Sequence, residues 1–204
     1  MDIRNYREED LDALYRVCLE TGASGNDATS MYRDPRVLGH IYAGPYGTLA
    51  PESALVIEDE GGVGGYIIGP VDTYGFEKRV ERDWWPNLRQ TYADPSGKAR
   101  ELWSPDERLH YLMHHPARTP RRISEPFPSH LHIDLLPRFQ GRGVGKRLID
   151  AWLARVREMG SIGAHLGVGA ANVRAVNFYR RYGFLELERI GPPYDTYFFG
   201  FKLT

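Results

Sequence analysis

The chain has 204 residues, a formal net charge of −1, 42% hydrophobic and 12% aromatic residues, and one cysteine. That length suits one large domain with a sizeable core, and the near-zero charge excludes a global field that recruits nucleic acid or acidic membrane. Cys18 alone excludes an internal disulfide and a multi-cysteine metal site; with no amino-terminal signal pattern and no apolar run of membrane-span length, a soluble cytoplasmic protein is expected.

Asp2–Tyr6 reads as a strand, followed by a helix over about Glu8–Glu20 whose Leu11, Leu14, Tyr15 and Cys18 recur at helical spacing before Gly22. Residues 21–26 read as a loop and about Pro35–Tyr42 as a second helix. Ser53–Glu58 and Gly64–Val71 read as strands joined by the turn Asp59-Glu60-Gly61-Gly62. Residues 74–128 have a different texture: one helix over Phe76–Tyr92 and another over Asp106–His115, led by Ser104-Pro105 as N-cap and first-turn proline. Prolines 116, 120, 126 and 128 make regular structure unexpected until Ser129. Having no strands of its own, this stretch reads as an insertion over one face.

From His130 the pattern sharpens into a strand to Leu136, then a helix marked by Val144, Leu148, Trp152, Val156 and Met159 and ended by Gly160. Ala164–Val168 reads as a short buried strand. Asn172–Tyr182 reads as a helix with Asn172 as N-cap and Gly183 at C′. Two strands follow, Phe184–Ile190 and Thr196–Lys202, separated by Gly191-Pro192-Pro193. The interleaving implies an α/β or α+β fold with a mixed sheet.

Between strand and helix lies Pro137-Arg138-Phe139-Gln140-Gly141-Arg142-Gly143-Val144-Gly145-Lys146-Arg147. A helix start prefers acidic side chains; basic ones here point to a bound anion, which glycines let backbone N–H groups approach. A Walker loop fails, because Gln140 and Arg147 stand where its first glycine and hydroxyl belong; a Rossmann fingerprint fails because Lys146 and Leu148 hold its third-glycine positions.

What fits is Gln140-x-x-Gly143-x-Gly145 with Asn172-x-x-Ala175-x-x-Phe178-Tyr179-x-x-x-Gly183-Phe184 downstream. This pair resembles the signatures of the GCN5-related N-acetyltransferase (GNAT) superfamily. The resemblance implies a central mixed, mostly antiparallel sheet flanked by helices, with 74–128 as a helical insertion before the cofactor strand, in one domain over 1–204. It implies that acetyl-coenzyme A (acetyl-CoA) is bound by Leu135, Leu136, Gln140, Gly141, Arg142, Gly143, Val144, Gly145, Lys146, Asn172 and Tyr179, with a strand bulge freeing backbone groups for the pantetheine and thioester. Homodimers are common among such proteins. Tyr6-Arg7-Glu8-Glu9-Asp10, Gly44-Pro45-Tyr46-Gly47-Thr48-Leu49, Gly65-Tyr66 and Trp84-Trp85-Pro86 are further similar to the acetyltransferase-like C-terminal domain of eukaryotic O-GlcNAcase and its stand-alone bacterial relatives. The eukaryotic domain is thought to lack the cofactor loop; this chain keeps it.

Acetyl transfer to an amine needs a neutral amine, a stabilised oxyanion and a proton for the departing thiolate. Tyr179 is the candidate acid, since a phenol titrating near about 10 stays protonated where a thiol near about 8.5 does not. The plainer roles are a core tyrosine and, for Asn172, an N-cap. For the base, His130, His132 and Asp134 alternate on one strand face, as in the His-x-His pair of arylalkylamine acetyltransferases. His132 is favoured because imidazole titrates near about pH 6.5. Packing under the insertion and a salt bridge are the alternatives for this trio. His110, His114 and His115 lack the spacing of a metal site, so none is expected. Trp84, Trp85, Trp103 and Tyr111 read as core or lid rather than a ring-binding platform. The reading is acetyl transfer to an amine acceptor, with residues 74–128 shaping its pocket; the competing reading is an inactive acyl-CoA-binding or interaction module.

Overall fold

The structure is a computed structural model, described over residues 1–191 and 195–203. Pro192 and Pro193 of the expected inter-strand turn lie outside these. Among the described residues, eight strands form two four-stranded hydrogen-bonded sheets. The first orders β1 (Asp2–Asn5), β2 (Leu55–Asp59), β3 (Gly62–Ile68) and β5 (His132–Leu135), all antiparallel. The second orders β4 (Ser129–His130), β6 (Gly163–Gly169), β8 (Thr196–Lys202) and β7 (Leu185–Ile190). Within it only β4 and β6 run parallel.

The expected strand 130–136 is thus shared between the sheets. Leu131 still donates its N–H to the His165 carbonyl at 3.2 Å, and from His132 onward the chain pairs with β3 alone. Its register with β3 is unbroken, so β5 and β6 part by this change of partner and not by the expected bulge. An alternating pattern looks the same whichever neighbour the strand chooses.

Helix α1 (Leu11–Thr21) packs on the first sheet, burying Leu14, Val17 and Cys18. The expected helix over 35–42 is shorter, α2 (Gly39–Tyr42), and is followed by an unexpected α3 (Gly44–Leu49) with Pro45 in its first turn. The expected helix 76–92 is two, α4 (Thr73–Asp83) and α5 (Trp85–Thr91), broken at Trp84 because Pro86 lacks the N–H that would continue the ladder. Helix α6 (Pro105–His114) starts at a full capping box, Ser104 with Glu107. A one-turn α7 (Arg121–Ser124) lies within the proline-rich stretch expected to be irregular.

Helix α8 (Val144–Glu158) puts Leu148, Trp152 and Val156 wholly inside. Leu148 and Val156 each contribute roughly 1.5–3 kcal/mol by leaving water. Helix α9 (Val173–Tyr182) stops at Gly183, which is left-handed at φ 108°.

Candidate active site

The connection from β5 to α8 is shaped by backbone chirality. Gly141 and Gly143 have φ of 73° and 72°, a region L side chains avoid. A Cβ at either would meet nothing within 4 Å, so conformation and not crowding calls for glycine. The first amides of a helix have no intrahelical acceptor; here Val144, Gly145 and Lys146 stand in that position after the Gly143 cap. Left-handed residues at a helix start gather N–H groups into a concavity that suits an anion. Arg142 and Arg147 are exposed and unpaired among the described residues, while Lys146 bridges to Asp150 at 2.7 Å. Arg138 turns away from the loop, to Asp59 at 3.2 Å.

Gln140 braces this loop. Its amide nitrogen donates to the carbonyls of Leu135 at 2.7 Å and Gly25 at 3.4 Å, and its oxygen accepts from Arg174 at 2.8 Å. Arg174, on α9, was not foreseen. Leu136 spends its N–H on the Gly64 carbonyl at 2.8 Å. Since amides alternate sides along a strand, this places the N–H groups of Ile133 and Leu135 away from β3, toward the gap beside β6. Ile133 was not foreseen either, although the period of two that puts Leu135 there also puts Ile133.

At the other end of β5 the two histidines meet on one phenol. Tyr46 Oη lies 3.0 Å from Nε2 of His130 and 2.9 Å from Nε2 of His132. Thr73 Oγ1 lies 2.8 Å from Nδ1 of His130 and donates to the Pro128 carbonyl at 2.7 Å. A carbonyl only accepts, and a hydroxyl has one hydrogen. The Thr73 proton therefore goes to Pro128, and His130 Nδ1–H donates to Thr73. His130 Nε2 then accepts from Tyr46, leaving the Tyr46 oxygen to accept Nε2–H of His132. This assignment by network leaves Nδ1 as the one ring nitrogen of His132 able to take a proton. Burial pushes His132 down to about 4, and burial with neighbouring His132 and His165 holds His130 well below the usual imidazole range. Both rings are neutral at pH 7, against the expected titration near 6.5. Phe76 stacks on Tyr46 at 4.7 Å between ring centres.

Asp134 shares the strand face but faces α1. It accepts from the Tyr66 hydroxyl at 2.5 Å, and burial holds its carboxyl above the usual range despite hydrogen bonds from Tyr66 and Thr21. Tyr179 is buried among Phe178, Phe184 and Phe199. Its hydroxyl has no hydrogen-bond partner among the described residues, and burial, with the charge of Asp134, raises its pKa, so it stays protonated. The Asn172 oxygen caps α9, accepting from the Ala175 N–H at 3.1 Å.

A cavity of about 720 Å³ opens where the sheets part. Its floor is His130–His132 and β6 from His165 to Gly169; one wall comes from Tyr42 to Tyr46 and another from residues 76–120, including Trp85. Outside it, His114 meets the Tyr92 carbonyl, His115 meets Asp94, and His110 packs at a tilt against the Tyr92 ring. Among the described residues, no group of three or more His, Cys, Asp or Glu could hold a metal ion, and no helix is long and apolar enough to cross a membrane.

Residues 6–184 match the Acetyltransferase (GNAT) family, and the chain belongs to it; its class is that of an acyltransferase, in a family that uses acetyl-CoA. It is 28% identical to the protein O-GlcNAcase of Rattus norvegicus over 203 residues, 98% of this chain and 22% of that protein. It thus spans about a fifth of the length of that relative. A stretch of 48 residues, 24% of this chain and 15% of the relative, is 46% identical to the mycothiol acetyltransferase of Propionibacterium freudenreichii subsp. shermanii. Among solved structures, SsHAT superposes with a TM-score of 0.88 at 37% identity, covering 98% of this chain and 97% of that one. The fold is also that of yncA of Salmonella typhimurium, solved with its cofactor acetyl-CoA, at TM-score 0.56 and 15% identity over 100% and 94% of the two chains.

Proposed function

We propose that this chain moves the acetyl group of acetyl-CoA onto a primary amine while both are bound. The observation that carries this is that β5 leaves β6 after Leu131, between the cavity that His132 lines and the amide-lined loop that follows β5. The residues suit the cofactor: the loop has open space above two left-handed glycines, amides without intrahelical acceptors and two unpaired arginines. Gly141, Arg142, Gly143, Val144, Gly145 and Lys146 would hold the pyrophosphate, with Gln140 bracing them through Leu135, and Asn172 would offer its amide nitrogen beside the arm. Bound there, acetyl-CoA supplies an activated acetyl thioester.

The amides of Ile133 and Leu135 supply fixed donors for negative charge on an acyl oxygen, at no cost of reorganisation. Leu136 cannot share this role through its N–H, which the sheet uses. His132 takes the proton the amine releases, at Nδ1. Tyr179, protonated and without a partner, gives its proton to the departing sulfur. His130 acts through Tyr46 by fixing the His132 tautomer, and Asp134, held by Tyr66 on the same face nearer α1, steadies the strand. Residues 1–204 act in this reading as one domain, with the 74–128 segment closing the acceptor side. Calorimetric titration with acetyl-CoA tests the first half: Gly141→Val with Gly143→Val should abolish binding without unfolding the chain, and unchanged affinity would refute the assignment of the loop.

A further inference from the structure

The walls of the His132 cavity say which amine fits. They are mainly apolar: Tyr42, Val80, Trp85, Leu112, Pro116 and Phe198 are typical of the lining. Its volume, about 720 Å³, is in the range that encloses a small organic molecule. Two carboxylates, Glu77 and Glu81, face it from successive turns of α4. They are not equivalent. Glu81 has both oxygens taken by Arg89, at 2.6 and 3.0 Å, and Arg89 is fixed in turn by the Met113 carbonyl. Its charge is spent inside that pair.

Glu77 is only partly satisfied. Oε1 accepts the Thr119 N–H at 2.9 Å, while Oε2 has, among the described residues, just the Arg118 guanidinium, at 3.9 Å. The Glu77 side chain is 18% exposed and that of Arg118 51%, so the anion sits within the wall and the cation at its solvent edge. A pair this long between a sheltered and a solvated group contributes little. Glu77 follows Phe76, which stacks on Tyr46, and its charge is among the causes, after burial, that raise the Tyr46 phenol. The carboxylate therefore lies in the field of the same hydroxyl that orients His132.

We propose that the acceptor is an apolar, aromatic-sized primary amine without a carboxylate, steered as its ammonium by Glu77 toward His132 while its body lies on the Trp85 and Phe198 walls. This rests on the acetyl-transfer reading for its chemistry but not for its binding. A hydrophobic ammonium gains the charge-assisted bond that Glu77 leaves open and buries its body. An amino acid would set its carboxylate beside Glu77, and an amino sugar would bury hydroxyls against apolar walls that leave them unpaired.

The test is calorimetric binding of three probes to the full chain saturated with unacetylated CoA: 2-phenylethylamine, phenylalanine, which is the same skeleton with a carboxylate, and glucosamine. Thiol release from acetyl-CoA is measured in parallel. The expected order puts 2-phenylethylamine at least about tenfold tighter than either of the others. Glu77→Gln, which keeps an oxygen for Thr119, should weaken it about tenfold, whereas Arg118→Gln should leave it equal or tighter by removing a competitor for Glu77. Phenylalanine binding more tightly and losing that affinity in Arg118→Gln would overturn the proposal, as would failure of 2-phenylethylamine to bind or indifference to Glu77→Gln. Glu77-dependent binding without thiol release would keep this inference and refute the transfer reading. Thiol release indifferent to Glu77→Gln would do the reverse.

Discussion

The Tyr46 hydroxyl sits 3.0 and 2.9 Å from the two histidines of β4 and β5, and its direction is dictated through Thr73 and His130 by the Pro128 carbonyl. Tyr46→Phe removes both the donor to His130 and the acceptor for His132 while keeping the ring stacked on Phe76. Loss of a positioned base commonly costs about a hundredfold; here the base remains and only its tautomer is freed. The expected loss is therefore about tenfold in kcat, with KM for acetyl-CoA unchanged, and nitrogen chemical shifts of His132 should move from one tautomer to a mixture. A second expectation concerns pH. Burial lowers His132 to about 4, so its base form persists as pH falls. With saturating amine, kcat should show no His132 limb between pH 5 and 6.5; such a limb, absent in His132→Ala, would mean a solvated imidazole instead. His130, His132 and Asp134 were legible as candidates because alternation is visible in sequence. Tyr46 and Thr73 were not, because neither lies in a periodic pattern and both reach β4 and β5 from more than 50 positions away.

At the scale of elements, the loop before α8 and the cap of α9 were legible because glycine and asparagine positions follow from backbone geometry. Gly143→Ala should show this directly. The left-handed φ of 72° costs an L residue about 1–2 kcal/mol. If the loop relaxes to avoid it, acetyl-CoA affinity should fall about tenfold with little change in Tm, measured by titration and thermal melting. The division of β4 from β5 at Leu131 was not legible, since the choice of neighbour is made by strands distant in sequence. The break between α4 and α5 was available from Pro86, but the i, i+4 run of Val80, Trp84, Leu88 and Tyr92 concealed it. The capping box of α6 shows the opposite case, a local signal that tertiary packing left intact.

At the scale of the molecule, His130, His132 and His165 gather where the two half-sheets part, while His40 and His110 lie half-buried against Tyr92 outside that cavity. His40, His110, His130, His132 and His165 all titrate below the usual imidazole range, with burial the leading cause for each. The unfolded chain binds protons at these groups from about pH 6.5 downward, and the folded chain takes them up only at lower pH. Stability is therefore full above that pH and falls as pH drops toward the folded values, by at most about 1.4 kcal/mol per pH unit for each of His130, His132 and His165. Thermal melts from pH 7.5 to 4.5 should show Tm falling progressively once pH passes below 6.5, and a Tm flat to pH 5 would contradict the burial. The central claim, that the gap between the half-sheets is a place of transfer and not only of binding, is tested most directly by free-thiol release from acetyl-CoA with and without a primary amine, for the wild-type chain and Tyr179→Phe. The predicted result is amine-dependent release that falls at least about tenfold in Tyr179→Phe while its affinity for acetyl-CoA stays the same; acetyl-CoA bound by both proteins with no amine-dependent release from either would contradict it.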